Sequence, residues 1–125
     1  VHGFAGVLGG MYDAPHGVIC GRLVPFVTRA NVRALQEQDR SSSALDRYDE
    51  IASIVTGDPN ATANDGIAWL QALCDVLQVP GLGAYGVQVA DFPTIIDKAQ
   101  RSSSMKGNPI RLTDEELAEI LGQAL

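Results

Sequence analysis

Residues 62–77, Thr-Ala-Asn-Asp-Gly-Ile-Ala-Trp-Leu-Gln-Ala-Leu-Cys-Asp-Val-Leu, decide the class of fold. Ile67, Leu70, Leu73, Cys74 and Leu77 recur at spacings of three and four, the stripe of a half-buried helix and not the alternation of a strand. Thr62 and Asp65 resemble a capping box with Asp in place of the usual Glu, which sets the start of the helix. Pro80 and Gly81 end it. Working outward, the helical period continues in both directions. Ser43 precedes a helix whose apolar positions Leu45, Ile51, Ile54 and Val55 share a face, and Gly57 stops it. On the far side, one helix is predicted over about Ala90 to Arg101. Another follows a Thr113–Glu116 capping box, with Leu117, Ile120, Leu121 and Ala124 facing inward. At the start, Val1 to Leu8 reads as the end of a helix stopped by Gly9 and Gly10. Asp13 then caps a second helix with Pro15 in its first turn, running towards Asn31 and kinked at Pro25. Six helices joined by short loops predict an all-α, antiparallel multi-helix domain over residues 1–125.

Composition agrees with a packed interior and excludes several functions. Apolar residues make up 46% of the chain and charged residues 19%, outside the range of disordered chains. Aromatics are scarce, so aliphatic side chains and alanine must fill the core. The net charge of −6 is unevenly spread: Arg22, Arg29 and Arg33 outweigh Asp13 within residues 1–33, and acidic groups dominate beyond. An acidic surface repels phosphate backbones, which argues against nucleic-acid binding. The basic first segment is either a solvated face or suited to an anionic ligand or an acidic neighbouring domain. No apolar run nears the length of a membrane span. Cys20 and Cys74 form no CxxC pair and read as small buried hydrophobes, so a reducing, cytoplasmic setting is expected. The chain opens on Val1 with no visible signal peptide, and it is expected to be an excised piece whose targeting information would lie upstream. Asn60-Ala61-Thr62 spells a glycosylation acceptor, but Thr62 has the nearer task of capping.

Two apparent ligand motifs dissolve in context. Gly81-Leu82-Gly83-Ala84-Tyr85-Gly86 spells GxGxxG, yet a helix precedes it where a dinucleotide site needs a strand. No acidic residue stands about twenty positions on to hold a ribose. It reads as a helix–helix connector. Ser102-Ser103-Ser104-Met105-Lys106-Gly107-Asn108-Pro109 can offer hydroxyls, an ammonium and amides to an anion, but it lacks P-loop spacing and reads as a polar loop. His2 and His16, the only histidines, lie beside a glycine-rich turn, Gly9-Gly10-Met11-Tyr12, that can fold both imidazoles towards one point. Imidazole nitrogen suits zinc or ferrous iron, but two histidines are half of a metal site. No nearby acid has an obvious ligand spacing.

The segment Val1-His2-Gly3-Phe4-Ala5-Gly6-Val7-Leu8-Gly9-Gly10-Met11-Tyr12-Asp13-Ala14-Pro15-His16-Gly17 resembles the metal-binding signature of the iron-containing alcohol dehydrogenases. That signature has His-Gly at a helix, a Leu-Gly turn, and Pro-His-Gly beyond it. Leu23-Val24-Pro25 and Asn31 are similar to the family's proline-containing helix. Arg47-Tyr48 with Ile51-Ala52, Val79-Pro80-Gly81-Leu82, Gly86-Val87 and Gly107-Asn108-Pro109 follow in the family's order. The resemblance implies a two-domain enzyme of which this chain is the helical C-terminal part, resembling the same part of the dehydroquinate synthase-like fold. It implies His2 and His16 as two of four protein ligands to a divalent metal, Fe2+ or Zn2+. The other two, in an Asp-x-x-x-His pattern, lie upstream, as does a nucleotide-binding domain for NAD or NADP.

Also by resemblance, the parent transfers hydride between an alcohol and an aldehyde or ketone, and the fragment alone is inactive. The chain itself is expected to supply no catalytic group beyond the metal ligands and no cofactor-binding residue. Phe4, Gly6 and Tyr12 flank the ligands as candidate walls of the substrate pocket, with core packing the alternative for Phe4. Family members often carry a further histidine four residues after the first ligand. Gly6 stands there, which removes that proton-relay group and leaves more space beside the metal. The expected partners are a small alcohol or carbonyl substrate and the protein's own N-terminal domain, with no nucleic acid and no membrane. Self-association into a homo-oligomer is left open. Two alternatives stand beside this one: a maleylacetate-reductase-like enzyme of the same fold, which the arginine excess suits weakly, and a non-catalytic helical interaction module.

Overall fold

A helix with one apolar stripe is held chiefly by what that stripe packs against, and in this chain the stripes of four helices converge on one main core. The computed structural model describes residues 1–125. In order it contains α1 (His2–Met11), α2 (His16–Gln38), α3 (Ser43–Thr56), α4 (Ala63–Val76), α5 (Phe92–Arg101) and α6 (Asp114–Ala124). Short 3-10 turns lie at Leu82–Tyr85, Val89–Asp91 and Ser103–Gly107, and there is no strand. The fold is all-α, as the period predicts. No helix is long and apolar enough to cross a membrane.

The main core joins α1, α2, α5 and α6. Phe4, Ala5 and Leu8 of α1 meet Ile19, Leu23 and Phe26 of α2, Ile95, Ile96 and Ala99 of α5, and Leu117, Ile120 and Leu121 of α6. On α5 the buried residues Phe92, Ile95, Ile96 and Ala99 repeat the three-and-four spacing, with Lys98 and Arg101 in its last turn. The α6 capping box forms as expected: the Thr113 backbone N–H donates to Glu116 at 2.7 Å, and the Glu116 N–H donates to the Thr113 hydroxyl at 3.2 Å. Arginines of α2 tie down the other end of α6. Arg22 donates to the backbone oxygens of Ala124 and Gln123 at 3.0 and 3.3 Å, and Arg33 grips Glu119 at 3.1 and 2.6 Å.

Three helix boundaries and two helix faces differ from expectation. Gly9 and Gly10 do not stop α1, which runs on to Met11 and ends at Tyr12 in an extended conformation. Neither glycine adopts the left-handed conformation that terminates helices. Asp13 does not cap α2; the preceding residue is Pro15 in an extended conformation, with no side-chain cap. α2 continues beyond Asn31 to Gln38, because Val32, Ala34 and Leu35 are buried too. On α3, Ile51 and Ile54 are exposed and Ala52 is the buried residue; on α4, Leu73 and Leu77 are exposed. Small residues choose these faces. Gly66 of α4 approaches α3 so closely that a Cβ there would lie 2.9 Å from the Ala52 Cβ and 3.1 Å from its Cα. The helices close on Ala52 and Gly66, leaving the larger side chains on other faces. A small second cluster of Val32, Ala63 and Ile67, with Leu45 and Tyr48 beside it, secures this pair to α2.

Two polar contacts complete the frame. Pro25 lies inside α2 and has no N–H, so the Gly21 carbonyl one turn earlier lacks its helical donor. The Cys74 thiol of α4 donates to that carbonyl at 3.3 Å. The side chains of Asn31 and Asn108 pair reciprocally at 3.0 and 2.7 Å. Asn31 also reaches the Tyr48 hydroxyl at 3.1 Å, and Asn108 the Ile110 carbonyl at 2.7 Å. Asn31 is only 3% exposed, so this network satisfies an amide that would otherwise be costly to bury.

Gly66→Leu is expected to destabilise the protein by about 1–3 kcal/mol through overpacking, read as a lower thermal midpoint; an unchanged midpoint would refute the close α3–α4 contact. Asp65 gives a pH test. The Thr62 backbone N–H and hydroxyl both donate to its Oδ2 at 2.8 Å, holding the carboxyl below its ordinary pKa. The lowered folded-state pKa gives stabilisation that is present above the ordinary carboxylate value and lost as pH falls through the lowered one. Acidification should therefore cost the wild type more thermal stability than Asp65→Asn, and parallel curves would contradict this.

Candidate metal centre

α1 carries Gly3, Gly6, Gly9 and Gly10 among its ten residues. Each glycine costs a helix interior roughly 0.5–1 kcal/mol relative to alanine, so burial of Phe4, Ala5 and Leu8 must hold this helix in place. Gly3 leaves room for Met105, whose Cε would lie 2.9 Å from a Cβ added there. His2 is the first residue of α1 and His16 the first of α2, and both are exposed. A ten-residue helix is about 15 Å long, and four extended residues span up to about 14 Å. The link Tyr12–Pro15, extended at both ends, can therefore return the chain along α1 and bring the two helix starts together. The imidazole centroids lie 5.4 Å apart with the rings tilted by 51°. The reversal falls at Tyr12–Pro15 and not at Gly9–Gly10, where the sequence had placed it.

A third donor joins them. Cys20 follows His16 by one helical turn, and its Sγ lies 3.4 Å from His16 Nε2. Donor atoms of His2, His16 and Cys20 all fall within 4.8 Å of one another. Cys20 was expected to be a buried hydrophobe, but it is only half-buried. The spacing His16-x-x-x-Cys20 was the signal available, since residues four apart share a helix face. Cys74 does behave as expected: it is buried, and burial pushes its thiol pKa up. Two imidazoles and one sulfur make a donor set that fits zinc or ferrous iron rather than magnesium or calcium. No carboxylate belongs to the cluster.

The candidate pocket residues separate. Phe4 is 2% exposed and belongs to the main core, so packing is its role. Gly6 is exposed, and a Cβ added there would meet nothing within 4 Å, so space is open one turn beyond His2. Tyr12 is half-buried against the edge of the core, where burial and the Asp91 carboxylate raise its pKa. Most of the arginine excess of the first segment is used inside the chain: Arg22 and Arg33 are bonded to α6, and Arg22 and the exposed Arg29 stack over Phe26 at 5.3 and 5.9 Å. Gly81 of the GxGxxG string is needed because a Cβ there would collide with the Leu125 backbone oxygen. A 3-10 turn follows it, as befits a connector. Within the serine-rich loop, Ser102 caps its own turn and Asn108 belongs to the buried amide pair, with Lys106 on the wall of a surface cleft.

Known proteins resemble this chain along its whole length. The model of the Fe-containing alcohol dehydrogenase family, C-terminal, matches residues 1–125. The 1,3-propanediol dehydrogenase of Citrobacter freundii is 35% identical over 124 residues, covering 99% of this chain and 31% of that protein. Alcohol dehydrogenase 4 of Saccharomyces cerevisiae is 30% identical over 125 residues, again covering 99% of this chain and 31% of the relative. A crystal structure of 1,3-propanediol oxidoreductase superposes with a TM-score of 0.77 at 29% identity, covering 99% of this chain and 32% of that one. The chain thus spans about a third of the length of these relatives. It belongs to the Fe-containing alcohol dehydrogenase family, whose C-terminal region it matches from end to end.

Proposed function

We propose that the chain is the metal-holding, C-terminal part of an NAD(P)-dependent alcohol dehydrogenase that interconverts an alcohol and an aldehyde or ketone. The observation that carries this reading is the pair of exposed imidazoles 5.4 Å apart on the first residues of α1 and α2. His2 and His16 would hold a divalent cation, Fe2+ or Zn2+, and the longer protein would complete the shell from an upstream Asp-x-x-x-His pair. Such a cation supplies Lewis acidity, which lowers the cost of removing a proton from an alcohol hydroxyl. The chain's own contribution is position. Phe4, Ala5, Leu8, Ile19 and Leu23 anchor the two helix starts from behind, so the ligands have little freedom to separate. The open space at Gly6 gives a small alcohol or carbonyl compound room beside the ligands, with Tyr12 nearby as a candidate wall.

An N-terminal domain bearing NAD or NADP would cover the exposed histidine face, place the nicotinamide against the substrate and exclude water. A cytoplasmic protein is the matching setting. The maleylacetate-reductase-like reading is less favoured: Arg22 and Arg33, part of its one supporting feature, are bonded to α6 within this chain.

In the full-length protein, His2→Ala and His16→Ala should each reduce metal affinity by more than the roughly 10–100-fold that losing a ligand's supporting partner costs. Alcohol-dependent reduction of NAD(P) should fall with it. Metal stoichiometry by atomic emission that is unchanged in both variants would sink the ligand assignment. Residues 1–125 alone should show no NAD(P)-linked turnover of short alcohols or diols; measurable turnover would point to a different division of labour.

A further inference from the structure

We propose that Met105 is a positioning residue for the cation site: its side chain, seated on Gly3, fixes the start of α1 and with it the place of His2. The inference rests on the proposed function, because it needs a cation at the two histidines. Three observations support it. The first is weak local support. α1 has no side-chain cap at its start and no acidic residue in its first turn, and its glycines lower its intrinsic preference for the helix. Packing must therefore hold the turn that carries His2. The second is contact. Gly3, the residue after His2, is buried, and a Cβ there would lie 2.9 Å from the Met105 Cε and 3.1 Å from its Sδ. The flexible thioether fills the notch that a missing side chain opens. The third is the firmness of what stands behind Met105. It lies in the 3-10 turn Ser103–Gly107, where its backbone N–H donates to the Ser102 carbonyl at 3.1 Å and its carbonyl accepts from the Asn108 N–H at 3.2 Å. Asn108 is in turn paired with the buried Asn31 of α2 at 3.0 and 2.7 Å. Met105 thus ties the start of α1 to a fixed point in the frame.

The competing role is core filling alone, in which Met105 stabilises the fold and leaves cation binding untouched. Metal affinity separates the two. The full-length protein is stripped of metal and titrated with Zn2+ in competition with a chromophoric chelator, and thermal midpoints are read on the same metal-free samples. Met105→Ala should weaken Zn2+ binding about tenfold, the low end of what losing an outer partner of a metal ligand costs. Met105→Leu, which nearly conserves volume, should bind as the wild type does. Adding Gly3→Ala to Met105→Ala puts a methyl group into the void and should recover part of the loss. The control is Ile67→Ala, in the second cluster between α2 and α4. It should lower the midpoint at least as far and leave Zn2+ affinity unchanged. Wild-type affinity in Met105→Ala would overturn the positioning role, as would an equal loss of affinity in Ile67→Ala; either result leaves the histidine ligands standing. Failure of the wild type to hold Zn2+ at all would overturn the proposed function as well.

Discussion

The burial of a short run of aliphatic and aromatic side chains immediately beside each histidine is the constraint on which the pairing of the two imidazoles depends. Phe4, Ala5 and Leu8 follow His2, and Ile19 and Leu23 follow His16, all almost completely enclosed. A glycine-rich helix such as α1 has weak intrinsic preference for its form, so its orientation is inherited from this packing. The polar ends are thereby exposed at a fixed place while the apolar flanks are locked between α5 and α6. Order comes from the core, and the paired imidazoles sit at its rim.

The amide pair draws together residues that are scattered along the sequence. Asn31, Tyr48 and Asn108 are far apart along the chain and carry no shared local pattern, yet they form one hydrogen-bonded cluster. It joins α2, α3 and the loop before α6. With Asn31 buried, each member satisfies a group that water cannot reach. Burial pushes the Tyr48 phenol up and keeps it protonated as a neutral partner. Three segments that lie far apart in sequence thus meet in one structural knot.

Much of the fold was legible because its signals are local. Capping boxes at Thr62–Asp65 and Thr113–Glu116 are decided within a few residues, and the inward face of α6 follows from its period. What failed to show was decided at a distance. The end of α1 depends on packing around Leu8 and Met11, not on the glycine pair. The buried sides of α3 and α4 depend on the fit of Ala52 against Gly66, which no periodicity of large apolar residues can report. His2 and His16 stood out because histidines are rare here, but their separation required the path of Tyr12–Pro15. Cys20 was hidden by a compositional habit, since free cysteines are usually interior.

The proline within α2 has a consequence that reaches across the molecule. Position 25 withholds a donor from the Gly21 oxygen, and position 74, on another helix, provides one. The two sites therefore share a single vacancy, and what either residue is worth depends on the identity of the other. An alanine at 25 would restore the internal amide link and leave the sulfur there redundant. With any other residue at 25, the buried thiol at 74 would face an oxygen already satisfied within its own helix.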